Sequence, residues 1–369
     1  MGEGASVVLV TGRQGVPEAL ETLASQARLT VQTVSSVAEL AQLPRAPLAV
    51  LLPLASSAAP WDQLRAEPRW ATVPLLAVAP EATELALVDT FARGGDDLLA
   101  FDRRDDVLAK LRALADWKEA MHRRGPDHVE RRALIVGHDA SWRASHARLL
   151  QRAGFSVHFA APGEPLGART AGATVGVIDA SGGLEPVAAT LAQDRAAGGR
   201  LPWIVAVSPD ALGQARERLA GERASVYDRM GLTDALPFVV NELLASQNRA
   251  GVERRRSPRL LFATRVWARP AGSDQDRLGC SYTVSEQGIF WRSMAPLETG
   301  SRVWLELQPP RGGQRVRLSA RVAWSRPFGP IGEALSPPGS GLEIEGGLPG
   351  DWELFQAGCQ ALLAGRVRR

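Results

Sequence analysis

Three short runs in the first eighty residues are apolar without a break: Val7–Val10, Leu48–Leu52 and, starting at Pro74, the run to Val78. Such a run is what a strand covered on both faces requires, as in the middle of a parallel sheet. Between them, Glu18–Gln26 and Glu84–Arg93 carry helical spacing, at separations suited to βα units. Asp97–Phe101 predicts a further strand, and an amphipathic helix follows from Asp105 to about Met121. The same grammar then restarts. Ala133–Val136, Val157–Phe159, Val175–Ile178, Trp203–Val207 and Ser225–Tyr227 predict another set of strands with helices between. Each half has the size of a five-stranded doubly wound domain. The charged stretch His122–Asp127 reads as the linker between them.

After Gln247 helical periodicity stops. Short alternating strands are expected at Ala263–Arg269, Leu278–Val284, Arg302–Leu307, Val316–Ser325 and Gly341–Ile344, with turns at Pro309–Gly313 and Pro337–Gly339. This pattern predicts a small antiparallel barrel. A last helix, from about Asp351 to Ala364, puts Trp352, Phe355, Cys359 and Leu362 on one face, suited to covering a barrel mouth. The expected architecture is therefore multidomain. Two α/β doubly wound, flavodoxin-like units at 1–121 and 130–248 precede a β-barrel with a C-terminal helix at 251–369.

Composition changes this picture little. The chain has 369 residues, 45% of them hydrophobic and 22% charged, as in folded proteins. A net charge of +3 is too small to imply nucleic acid, and no helix-turn-helix is evident. The only lysines are Lys110 and Lys118, so nearly all positive charge is arginine, a bias that a GC-rich genome explains. Cys280 and Cys359 form neither a disulfide framework nor a metal spacing, and Cys359 reads as a core residue. The N-terminus lacks a basic signal region, and no apolar run reaches the eighteen or so residues of a membrane span. A cytoplasmic location without membrane insertion is expected. His122, His128, His138, His146 and His158 have no paired nucleophile and acid, and Gly12–Gly15 lacks the end of a phosphate loop. No enzyme, catalytic residue or metal site is expected.

The two α/β units resemble the receiver domains of two-component response regulators. Receiver chemistry needs a carboxylate pair after the first strand for a metal ion and an aspartate after the third for the phosphoryl group. A hydroxyl after the fourth and a lysine after the fifth complete the set. In the first unit those places read Thr11-Gly12, Pro53, Ala79 and Phe101. In the second, Asp179 and Ser208 occupy the phosphoacceptor and hydroxyl places. The acid pair reads Gly137-His138, with Asp139 one position late, and the lysine place falls at Asp228 beside Arg229. Asp179 is thus a candidate phosphoacceptor, or else caps the turn that follows it. Both units read as pseudo-receivers used for homodimerisation or for docking protein partners.

The remaining chemistry is concentrated in two motifs: Arg254-Arg255-Arg256-Ser257-Pro258-Arg259 and Thr283-Val284-Ser285-Glu286-Gln287-Gly288. Guanidinium forks pair with phosphate or with the O6/N7 edge of guanine, and they stack on bases. Ser285 can donate a hydrogen bond, and Gly288 permits close backbone approach or φ > 0. The ordered series continues with Gly288–Phe290, Leu297–Gly300, Ala320–Trp324 and Gly339–Ile344. From about Gly251 to Leu363 the chain resembles the PilZ family of cyclic di-GMP receptors. Its signatures are Arg-x-x-x-Arg before the barrel and Asp/Asn-x-Ser-x-x-Gly on an early strand. The resemblance implies that cyclic di-GMP is the ligand, that Arg255, Arg256, Arg259, Thr283, Ser285 and Gly288 form the site, and that the output concerns motility or surface behaviour. Thr283 departs from the Asp/Asn of the family, and losing one well-placed hydrogen bond to a base edge costs about 1–3 kcal/mol. The alternative is a ligand-independent scaffold built from the same three units.

Overall fold

The computed structural model describes residues 5–11, 17–54, 59–66, 70, 73–123, 131–229, 235–247, 257–328 and 337–367. The first unit contains β1 (Ala5–Val10), α1 (Glu18–Gln26), β2 (Leu29–Val34), α2 (Val37–Leu40), β3 (Ala49–Pro53), α3 (Ala59–Ala66), β4 (Leu75–Ala79), α4 (Glu84–Ala92), β5 (Asp97–Ala100) and α5 (Arg104–Arg123). Its parallel strands lie in the order β2-β1-β3-β4-β5. The apolar runs are the central strands: β3 and β4 are almost wholly buried, and α1 covers the sheet with Leu20, Leu23 and Ala24. The strand absent from the sequence reading, β2, lies at the sheet edge. Only its two end residues, Leu29 and Val34, are buried, so it has no continuous apolar signal.

The second unit comprises β6 (Arg131–Val136), α6 (Ala140–Arg152), β7 (Phe155–Ala160), α7 (Gly167–Thr170), β8 (Val175–Asp179), α8 (Leu184–Ala196), β9 (Trp203–Val207), α9 (Leu212–Arg218), β10 (Ala224–Asp228) and α10 (Ala235–Gln247). The order β7-β6-β8-β9-β10 repeats that of the first sheet. Both are the 2-1-3-4-5 arrangement of flavodoxin-like domains. Of the expected linker, His122 and Arg123 are the last residues of α5, and Arg124–Asp127 lie outside the described residues.

The third unit holds β11 (Leu260–Leu261), β12 (Arg265–Pro270), β13 (Arg277–Ser285), β14 (Gly288–Arg292), β15 (Arg302–Leu307), β16 (Val316–Arg326), β17 (Gly339–Gly347) and α11 (Asp351–Val367). Strands β13-β12-β15-β16-β17-β14 form an antiparallel ring that the β13–β14 pairing closes, with β11 added on β13. Along β16 buried and outward positions alternate, as a barrel wall requires. Phe355 and Cys359 of α11 are buried in the barrel core, with Trp352 and Leu362 packed against it. Burial pushes the Cys359 thiol up to about 12, in keeping with its place in the packed core.

The barrel is seated on the first unit along α4, β5 and α5. Leu278 and Cys280 of β13 join the core under α4, while Met294 and Phe328 join the core beside α5. Lys110 of α5, with no exposed surface, lies 2.9 Å from Asp97 Oδ1 and 2.9 Å from Asp106 Oδ2. The barrel completes this cluster: the Met294 N–H donates to Asp97 Oδ2 (2.7 Å), and Arg277 pairs with Asp106 (3.3 Å). Arg292 at the end of β14 donates to the Gly95 carbonyl (3.2 Å) and lies 3.9 Å over the Phe91 ring. The second unit holds the first through Arg148 of α6, buried and donating to the carbonyls of Trp70 (2.6 Å) and Val73 (3.2 Å).

Candidate ligand-binding site

The second motif folds as the tip of the β13–β14 hairpin. Ser285 and Gly288 are register partners, separated by Glu286 and Gln287 at the turn. The Ser285 hydroxyl donates to the Gly288 carbonyl at 3.4 Å. Of the two reasons for a glycine at 288, the structure selects close approach. Its φ is not left-handed, but a Cβ there would come within 2.7 Å of the Leu342 carbonyl oxygen on β17. Thr283 faces Phe290 across the hairpin and is 4% exposed. Between Ser281 and Thr283 the register shifts, leaving Tyr282 as the extra residue of a β-bulge.

These elements wall a cleft of about 480 Å³. Arg259, Thr283, Ser285 and Gly288 all line it, joined by Ser257 and Gln287. Arg259 is exposed, and Arg255 and Arg256 lie outside the described residues. An aromatic wall accompanies the polar residues. Phe290 and Trp324 line the cleft with their rings stacked at 5.2 Å and 29°. The Trp324 indole lies across Gly341, where a Cβ would come within 2.2 Å of it, so only glycine leaves room for the ring in this place. In the sequence, Ala320–Trp324 and Gly339–Ile344 read as framework alone. The usable signal was a tryptophan on one strand and a bare glycine on its neighbour.

The receiver positions of the second unit form a closed arrangement. The Asp179 side chain has no exposed surface; it accepts from the Ser181 N–H (3.1 Å) and hydroxyl (2.9 Å), and Arg229 Nε lies 3.4 Å away. The turn-capping alternative is therefore what the geometry displays. The other arm of Arg229 reaches Asp139 (3.4 Å), whose carboxylate caps α6 through the Ser141 and Trp142 N–H groups. At Gly137 a Cβ would stand 3.1 Å from Asp179 Cβ and 3.2 Å from the Trp142 ring, which leaves little space for an acid. Beneath, His146 stacks on Trp142 at 4.1 Å, and its Nδ1–H donates to the Trp142 carbonyl (2.8 Å). Burial pulls its imidazole down to about 4, against the opposing pull of that hydrogen bond and of Asp179. Among the described residues no group of three or more His, Cys, Asp or Glu could hold a metal. In the first unit, Thr11, Pro53, Ala79 and Phe101 converge on a largely apolar cavity of about 680 Å³.

Two receiver-like α/β units and a six-stranded barrel bearing a polar and aromatic cleft define a multidomain protein. The third unit is a PilZ domain: the model of that family matches residues 253–347. No curated protein matches the chain. Among solved structures, the Bacillus subtilis inhibitor of motility (MotI/DgrA) is similar at 19% identity and a TM-score of 0.25; the match covers 32% of this chain and 54% of that one. This chain thus spans about half the length of that relative. The C-terminus of Escherichia coli RcsC, containing a linker region and phosphoreceiver domain, is similar at 14% identity over 67% of this chain and 96% of that chain, with a TM-score of 0.27. NtrX from Brucella abortus, in complex with ATP, is similar at 13% identity over 69% and 74%, with a TM-score of 0.26. The fold rests on the strand orders given above and not on these likenesses. Among the described residues no helix is long and apolar enough to cross a membrane.

Proposed function

We propose that this protein is a cytoplasmic, non-enzymatic signalling effector that binds cyclic di-GMP in the barrel cleft and relays its occupancy to protein partners through the receiver-like units. PilZ domains generally bind this ligand. The observation that carries the reading for this chain is the convergence of Arg259 with Thr283, Ser285 and Gly288 on one cleft with the Phe290–Trp324 wall. In this reading Arg255, Arg256 and Arg259 meet the phosphates and guanine edges with bidentate hydrogen bonds. Ser285 and Thr283 offer hydroxyls, and an aromatic wall suits planar bases.

Calorimetric titration of the full chain tests the proposal. Heat of binding at micromolar ligand is expected, weakened at least tenfold in Arg259→Ala and abolished in Arg255→Ala/Arg259→Ala. No heat at tens of micromolar ligand, or heat indifferent to those substitutions, overturns it. One observation favours the second reading, a scaffold without ligand: Thr283 is short, β-branched and 4% exposed in a paired strand, where the family places an Asp or Asn.

A further inference from the structure

The cleft is continuous, through packed rings, with a helix of the second unit. Phe238 on α10 meets Tyr282 edge-on at 6.4 Å and 83°. Tyr282 meets Phe290 at 5.8 Å and 72°, and Phe290 stacks on Trp324. The last two rings line the cleft, and Thr283, next to Tyr282 in the chain, lines it too. The bulge is what places Tyr282 here. The regular register holds up to Ser281–Trp291 and resumes at Thr283–Phe290, so Tyr282 is the extra residue of the bulge. Its side chain is nonetheless buried, 8% exposed, because α10 covers it. The same helix leads, through residues 248–256, to Ser257 and Arg259 on the cleft. It is therefore joined to the site both by the chain and by the ring stack.

We propose that Phe238 and Tyr282 are positioning residues of the cleft, so that α10 of the second unit responds to whether the cleft is filled. A base or phosphate set against Trp324 and Phe290 displaces or fixes those rings. Close-packed aromatic neighbours do not deform independently, so Tyr282 and Phe238 follow. By linkage the effect is reciprocal: whatever fixes α10 changes ligand affinity by the same factor. The ligand's identity rests on the cyclic di-GMP reading, whereas the ring path does not.

Hydrogen exchange of α10 amides in the full chain tests this with and without ligand. Without ligand, Trp324→Ala is expected to speed exchange in α10 roughly three- to tenfold, the range of one aromatic pair. In a Phe238→Ala background the same substitution is expected to change it no further. With cyclic di-GMP at saturation, α10 exchange in the wild type is expected to shift by a similar factor. Tyr282→Phe, which keeps the ring, should retain the shift, and Tyr282→Leu should lose it. Phe238 is only half-buried and outside the cleft, so Phe238→Ala and the milder Phe238→Leu keep the test readable if a cleft variant misfolds. The proposal is overturned if Trp324→Ala leaves α10 exchange unchanged, or if its effect or the ligand's persists in Phe238→Ala. A wild type that binds no cyclic di-GMP sinks the ligand assignment alone, because the ligand-free arm still decides the ring path.

Discussion

Replacing Lys110 by methionine keeps most of its apolar stem and deletes one buried charge. The ammonium has no exposed surface and contacts Asp97, Asp106 and the Leu98 carbonyl, each at 2.9 Å. Burial pulls its pKa down, but the two carboxylates outweigh that and raise it overall. Its contribution is thus fully present below the unfolded value of about 10.4 and is lost only as pH rises through the higher folded value. Removing one partner of a buried ion pair costs about 3–5 kcal/mol, chiefly because the other charge is left uncompensated. Here Asp106 keeps Arg277, and Asp97 keeps the N–H groups of Leu98 and Met294, which argues for the lower end. A loss of about 3 kcal/mol corresponds to roughly a hundredfold increase in opening. Native-state hydrogen exchange reads it directly: the β5 amides and the Met294 amide are expected to accelerate by that factor, while those of β8 and β9 are not. Adding Asp97→Asn removes the carboxylate left without its cation and is expected to recover at least about 1 kcal/mol. The reasoning fails if Lys110→Met costs under about 1 kcal/mol, or if the second substitution adds its own full cost.

Three further outcomes follow from particular side chains. His146, held at about 4 against about 6.5 when unfolded, binds its proton more weakly in the folded state, so stability is retained above pH 6.5 and lost as pH falls toward 4. Thermal melts from pH 7 to 4 are expected to register a loss of about 3 kcal/mol from this group, absent in His146→Gln; parallel curves for the two would refute it. Gly288→Ala sets a methyl 2.7 Å from the Leu342 carbonyl oxygen and is expected to destabilise the barrel by about 1–3 kcal/mol in denaturant titrations, whether or not ligand is present. Thr283→Asp is expected to act with opposite signs. It places a carboxylate at a 4% exposed site, lowering the melting temperature without ligand, while tightening cyclic di-GMP roughly ten- to a hundredfold in calorimetry.

What could be read from the chain was the part whose physics is local. Central parallel strands are buried on both faces, so β3, β4, β8 and β9 stand out as apolar runs. Edge strand β2 does not, and β14 is legible only in part because its five residues follow directly on the hairpin turn. Helix α11 was visible in its buried face, Phe355 and Cys359 four residues apart. Of the site, Arg259, Thr283, Ser285 and Gly288 do meet on one cleft, but the aromatic wall comes from pairing across β14, β16 and β17. Contacts between units were not legible at all. Every residue of β13 from Leu278 to Val284 is buried, because the units on either side cover what would otherwise be its outward face.

That crowding of β13 bears on how such a protein could switch. In the first unit, expected to serve pairing or docking, β12, β13 and the end of β14 cover much of the α4–β5–α5 face. The pocket at its receiver-like positions is largely apolar. In the second unit a guanidinium already stands between Asp139 and Asp179, where a metal and a phosphoryl group would otherwise bring and balance charge. In the second unit electrostatic input would therefore have to displace ion-paired groups. In the barrel cleft the signature arginine, Arg259, is exposed. The strands that wall it run onward, Arg277 and Arg292 to the first unit and Tyr282 to the second. A small anion arriving there would meet a hairpin that touches all three units, which is the path the proposed relay would take.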